Sequence, residues 1–181
     1  MARISLPPPA AKTTHLRHRV AFFETDAMGI VHHANYVRWF ELARVAWMDE
    51  HDRPYRDYVA DGLHFATTEV EVHYHRAAAF DDRVELVTWL AWVRGASLRM
   101  EYVVRRGEEV VASGATEHAM VNLDGRPRRI PAERRASLAA QASAAEAALD
   151  RSGSCASRGM PKASPRRAAS RRRAELRPSG S

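Results

Sequence analysis

The sequence predicts an α+β fold in which an antiparallel sheet curls around one long helix, and three observations carry that expectation. Residues 36–50 contain no Gly or Pro and are apolar nearly all the way round a helix. Four later stretches alternate apolar and polar residues with period two and are divided by short turns. A further strand-like stretch precedes the helix. A helix with so little polar surface has to be wrapped by other structure, and strands joined by tight turns pair antiparallel, so the wrapping layer is a five-stranded sheet.

Taken in order, residues 1–13 form a proline-broken, flexible leader with little to bury, and His15–Phe23 is the first strand. An acidic loop, Glu24–Gly29, leads to the central helix, which ends near His51. Tyr36, Phe40, Ala43 and Trp47 share one helical face, and Val37, Leu42, Val45, Ala46 and Met48 fill much of the rest. Asn35 is the expected N-cap, since its side-chain oxygen can accept a free amide of the first turn. Arg38 opposes the helix dipole there and is expected either to pair with Glu41 or to face a ligand anion. Residues 52–62, with Pro54 and Gly62, make an irregular crossing.

In Phe65–His75, Val70, Val72 and Tyr74 alternate with Glu69, Glu71, His73 and His75, the pattern of a strand with one face buried. Arg83–Val93 is apolar on both faces, which suits an internal strand or one covered by a second subunit. The turns Arg94-Gly95-Ala96 and Arg106-Gly107 bound a third stretch, 98–105, and Val110–Asn122 is the last, closed by Asp124-Gly125. Pro131 opens a second helix, Ala132 to about Leu149, with few large apolar groups and therefore a surface position. Beyond it Ser, Gly, Pro, Arg and Ala dominate, and residues 151–181 are expected to be a disordered basic tail. The folded domain is then 14–150.

Charge follows the same division. The tail carries nine of the 28 Lys and Arg and one of the 22 Asp and Glu, so the formal +6 of the chain belongs to it. Residues 1–150 are near neutrality, and no specific nucleic-acid partner is expected of them. The single cysteine, Cys155, allows neither an intrachain disulfide nor a cysteine zinc site. There is no apolar run long enough for a signal-peptide core or a membrane span, which makes a cytoplasmic protein the expectation.

The run Thr25-Asp26-Ala27-Met28-Gly29-Ile30-Val31-His32-His33-Ala34-Asn35-Tyr36, followed by Phe40-Glu41-x-Ala43-Arg44, carries a specific resemblance. It resembles the signature D-x-x-G-x-V-x-H-x-N-Y of the hotdog-fold acyl-CoA thioesterases of the 4-hydroxybenzoyl-CoA thioesterase type, the Tol-Pal-associated branch included. Val70–Asp82 and Gly125-Arg126-Pro127-x-x-Ile130-Pro131 resemble later family segments, although Ala77 or Ala78 stands where the family usually has proline. The resemblance spans roughly residues 14–138. It implies a hotdog fold, an acyl-CoA substrate, and an acyl site at a subunit interface, hence a homodimer or homotetramer.

Thioester hydrolysis needs a nucleophile or base at the carbonyl carbon and donors for the oxyanion that forms. Asp26 can add to the carbonyl itself or take a proton from water, and the resemblance puts the catalytic Asp at this position. A lone Asp before a helix is ordinarily a turn former, so the whole motif, not the residue, carries the assignment. His33 matches the family's histidine and is placed with Asp26, either hydrogen-bonding the thioester, carboxylate or water or organising the loop. Backbone amides at the helix start are the expected oxyanion donors. Gly29, His32, Asn35, Tyr36 and Arg38 are the expected substrate-binding residues, and Glu24 reads as a solvated neighbour.

No metal or organic cofactor is implied. His73 and His75 share a strand face without a third ligand beside them, which reads as a polar face. There is no G-x-S-x-G, and the lone Cys lies in the tail, so a Ser or Cys nucleophile is disfavoured. The alternatives are a hotdog dehydratase, whose His and acid motif is not found, and a non-catalytic module binding acyl-CoA or acyl-carrier protein. A third is a tether to nucleic acid or anionic membrane through the basic tail.

Overall fold

The computed structural model describes residues 4–142, so the expected tail and the end of the second helix lie outside the described residues. Strand β1 (Thr13–Arg19) runs into a single 3-10 turn at Phe22–Glu24, and a tight hairpin then leads to the central helix α1 (His33–His51). A short helix α2 (Tyr55–Ala60) connects to β2 (Leu63–Tyr74). Strands β3 (Arg83–Arg94), β4 (Ser97–Arg106) and β5 (Glu109–Asn122) follow as hairpins, and α3 (Ala132–Gln141) closes the described chain. All strand pairs are antiparallel, in the order β1-β3-β4-β5-β2, so the expected five-stranded sheet around one helix is what forms.

The two sheet faces differ. On the inner face Val84, Leu86 and Leu90 of β3 and Leu98, Met100, Tyr102 and Val104 of β4 meet Tyr36, Trp39, Phe40, Ala43, Trp47 and Met48 of α1 in one buried cluster. Each large side chain so buried contributes about 1.5–3 kcal/mol. The predicted stripe Tyr36, Phe40, Ala43 and Trp47 is the buried one. On the outer face Val87, Trp89 and Val103 are also buried, although apart from the main cluster. Ser5 donates to Glu101, the cross-strand neighbour of Trp89, at 2.7 Å, so residues ahead of β1 lie on that face.

The structure departs from the sequence reading in several places. The first strand stops at Arg19, because Phe22 and Phe23 are turned into solvent by the 3-10 turn. The crossing at 52–62 holds a helix, α2, pinned where the buried Tyr58 hydroxyl donates to Asp52 at 2.5 Å. Helix α1 starts at His33, and its cap is His32, whose Nδ1 accepts the Ala34 amide at 3.3 Å, so Asn35 is not the cap. Val70 and Tyr74, expected on a buried face of β2, are 44% and 52% exposed. That strand is a sheet edge, and among the described residues no further strand pairs with it. Helix α1 likewise leaves Val37 and Leu42 open, so it is wrapped on one side only.

Small residues on the inner face of β5 let the helix approach. A Cβ added at Gly114 would stand 2.2 Å from the Glu71 carbonyl oxygen and 2.8 Å from the Phe40 ring. That ring stacks on Tyr102 at 4.3 Å with 5° between planes. Gly114→Ala is therefore expected to lower stability by about 1–3 kcal/mol through overpacking, read as a shifted urea midpoint with an unchanged slope.

Candidate active site

The site grows out of the hairpin between the 3-10 turn and α1. Thr25 and Val31 pair across it, the Asp26 amide donates to the Ile30 carbonyl at 2.9 Å, and the Gly29 amide returns to the Asp26 carbonyl at 2.9 Å. Gly29 takes φ 74°, a left-handed value that only glycine adopts without strain, which is the structural use of this motif residue. One Asp26 carboxylate oxygen, Oδ1, accepts the Met28 amide at 2.8 Å. The half-buried Asp26 makes no other side-chain hydrogen bond among the described residues, so Oδ2 is uncommitted.

A second loop backs the hairpin. The Val31 amide donates to the Ala78 carbonyl at 2.8 Å, and Ile30 bridges to Ala79. That loop is held by Asp82, which accepts the Ala79 amide at 2.9 Å and Arg106 at 2.5 Å. Asp82, the end of the family-like segment Val70–Asp82, is thus a brace beneath the site. Phe22, Phe23, Met28 and Phe80 form an exposed apolar rim around it, with Phe22 edge-on to Phe80 at 5.7 Å.

Glu24 joins these parts and is not the solvated neighbour expected from the sequence. It is 5% exposed, and its carboxylate accepts the Trp39 indole at 2.7 Å, the Ala21 amide at 2.7 Å and a bond with His18 Nε2 at 2.8 Å. Burial pushes this carboxyl up, but those three bonds outweigh it and hold it below the usual carboxylate range. The Glu24 carbonyl accepts both the His32 amide at 2.8 Å and the Asn35 side chain at 2.7 Å. The sequence carried no signal for this role, since Ala21 has no capping side chain and the partners His18 and Trp39 meet Glu24 only in the fold.

The predicted residues divide into two sets. Asp26, Gly29, His32 and His33 lie together at the hairpin and the exposed start of α1, with the His32 and His33 rings 4.1 Å apart. Asn35 and Tyr36 point inward. Asn35 locks Glu24, and Tyr36 packs against Trp39 and edge-on to Tyr74 at 5.2 Å. Burial raises the Tyr36 hydroxyl above its ordinary value. Arg38 is exposed and donates to Asn35 Oδ1 at 3.2 Å, replacing the expected pairing with Glu41. The amides of Ala34 and Asn35 are taken by His32 Nδ1 and its carbonyl, leaving the His33 N–H as the helix-terminal donor without an intrahelical acceptor. Among the described residues no group of three or more His, Cys, Asp or Glu could hold a metal, and no helix is long and apolar enough to cross a membrane.

Residues 20–147 match the thioesterase-like superfamily, and the chain belongs to that family of thioester hydrolases. It is 31% identical over 116 residues to the acyl-CoA thioester hydrolase YbgC of Escherichia coli O6:H1, covering 62% of this chain and 86% of that one. Its fold resembles a hypothetical protein of Thermus thermophilus, TT1821, with a TM-score of 0.66, 32% identity, and coverage of 70% of this chain and 95% of that one. A gentisyl-coenzyme A thioesterase is similar at a TM-score of 0.63 and 25% identity, with 70% and 99% coverage. The architecture is the hotdog fold that the motif implied.

Replacing Glu24 with Gln removes one anionic acceptor that three donors share. Glu24→Gln is expected to cost about 1–3 kcal/mol at pH 7. Because the native carboxyl lies below its unfolded value of 4.5, its contribution is present above that pH and is lost as pH falls through the lower native value. Urea melts of the two proteins should therefore converge on acidification below about pH 4.5, the unfolded carboxyl value.

Proposed function

We propose that the protein hydrolyses an acyl-CoA thioester to the free acid and CoA, with Asp26 as general base or nucleophile. The observation that carries this reading is the uncommitted Oδ2 of Asp26, on a hairpin tied through Glu24 to the start of α1. As a base, Asp26 takes a proton from water while the water oxygen bonds to the thioester carbon. The carbonyl electron pair moves to oxygen, where the His33 N–H and the positive end of α1 stabilise it. The oxyanion then collapses, the C–S bond breaks, and the CoA thiolate receives the proton. As a nucleophile, Asp26 forms a mixed anhydride that water cleaves, with the same donors serving both steps. The imidazoles of His32 and His33 flank the thioester, Gly29 lets backbone approach it, and the apolar rim of Phe22, Phe23, Met28 and Phe80 receives the non-polar arm of CoA.

Asp26→Asn is expected to retain the wild-type circular dichroism and melting curve while kcat falls by about 10² to 10⁴, the range for a lost positioned acid or base. Steady-state assays on a short, a long and an aromatic acyl-CoA provide the test. Near-full activity of the variant removes Asp26 from the chemistry, and binding without turnover by the wild type points to a carrier module.

We further propose a homodimer or dimer of dimers. The support is the open edge of β2 and the exposed Val37, Leu42, Val70 and Tyr74. The expected basis, a β3 apolar on both faces, is accounted for within one chain, since β3 lies between β1 and β4 and its outer Val87 and Trp89 are already buried. Sedimentation at micromolar concentration is expected to give twice or four times the chain mass, and a monomer would remove the shared site.

A further inference from the structure

The hairpin that carries Asp26 leans on a loop with little side-chain anchorage of its own. Residues 75–82, between β2 and β3, include three consecutive alanines, Ala77, Ala78 and Ala79, which have no polar side chain. Two supports of the hairpin are nevertheless drawn from their backbone. The Val31 amide donates to the Ala78 carbonyl at 2.8 Å, and Ile30 bridges to Ala79. The Ile30 carbonyl in turn accepts the Asp26 amide at 2.9 Å, so a drift of the alanine segment is passed on to Asp26.

Arg106, the last residue of β4, grips this segment at both ends. Its Nη1 donates to Oδ2 of Asp82 at 2.5 Å and to the Ala77 carbonyl at 3.4 Å, while its Nη2 donates to Glu109 at 2.6 Å. The same Oδ2 of Asp82 accepts the Ala79 amide at 2.9 Å. One planar guanidinium thus ties Ala77 directly and Ala79 through Asp82, a use of several donors in a fixed fork. The remaining bonds hold only the far end of the loop. The Val20 amide donates to the Asp82 carbonyl at 2.9 Å, the Asp81 amide to the Val20 carbonyl at 3.0 Å, and Arg19 pairs with Asp81. The charge of Arg106 is also felt at the start of α1. Burial pushes the Tyr36 hydroxyl up, while a bond with the Ala78 backbone and the charge of Arg106 pull it the other way.

Magnitudes separate a stabilising role from a geometric one. Arg106 and its partners Asp82 and Glu109 are all partly open to water, where ion pairs contribute little to stability. A reacting group displaced by about 1 Å, in contrast, can lose about 10²-fold in rate. The clamp therefore acts on the placement of the hairpin more than on the stability of the fold.

We propose that Arg106 is a positioning residue for the hydrolysis: through Asp82 and the alanine segment it holds the Asp26 hairpin in place against the start of α1. This rests on the reading of Asp26 as base or nucleophile given above, and adds to it a residue that acts through others.

The test is a double-mutant cycle on the acyl-CoA that the wild type cleaves fastest, joined to amide exchange followed by NMR. Arg106→Gln is expected to lower kcat by about 10- to 100-fold, with KM within about threefold and the melting temperature within about 4 °C. In the Asp26→Asn background the same change should cost less than about threefold, because no carboxylate is left to position. Arg106→Lys, which keeps the charge, should recover part of the loss. Glu109→Gln, which removes a partner outside the alanine segment, should stay within about threefold of wild type. The Val31 amide should exchange at least about tenfold faster in Arg106→Gln, while the Trp47 amide inside α1 is unchanged. A kcat near that of the wild type in Arg106→Gln, or an equal loss in both Asp26 backgrounds, overturns the proposal. Should Arg106→Gln not fold, Asp82→Asn, which gives up the charge that Arg106 meets, goes through the same cycle with the same expected outcome. Should the wild type cleave no thioester, the acyl-CoA reading falls. Exchange at Val31 then decides alone, with faster exchange supporting the clamp and unchanged exchange overturning it.

Discussion

The buried carboxylate of Glu24 is the constraint on which the rest of the site depends. Its three acceptor bonds come from β1 through His18, from the interior of α1 through Trp39, and from the 3-10 turn through Ala21. Its carbonyl binds the helix start through His32 and Asn35. A carboxylate this deep is tolerated only because its donors outweigh the loss of water. The same donors set the angle at which the chain enters the hairpin. Asp26 follows two residues later, so the position of its carboxylate relative to the α1 amides depends on Glu24 together with the backing loop at Ala78 and Ala79.

The sheet sets how the helix packs. Gly114 on β5 admits the Phe40 ring, which stacks on Tyr102 of β4, while the helix itself lies nearest β3 and β1. Beside β2, Val37 of the helix and Val70 and Tyr74 of the strand are left exposed. The helix thus carries a buried face, Tyr36, Phe40, Ala43 and Trp47, and an open one at Val37 and Leu42.

Much of this was legible before any coordinates. The period-two stretches fell on β2 to β5, and the stripe Tyr36, Phe40, Ala43 and Trp47 fell on the core, because burial of one face imposes its period on the residues themselves. Gly29 was legible because a positive φ selects glycine, and the Asp26 to Tyr36 motif because a hairpin and a helix start need fixed residues at fixed spacing. These are local rules, and the sequence determined by itself what local rules decide: the number and order of the strands, the central helix, and the hairpin segment that bears Asp26. Tertiary structure decided the rest. Whether Glu24 meets water or Trp39, whether Asn35 caps or locks, whether Val70 and Tyr74 are covered, and whether Arg106 meets Asp82 all depend on side chains far away in the sequence. A residue's own neighbours in the chain carry no record of those partners, because desolvation and pairing are set by what the fold brings within a few ångströms.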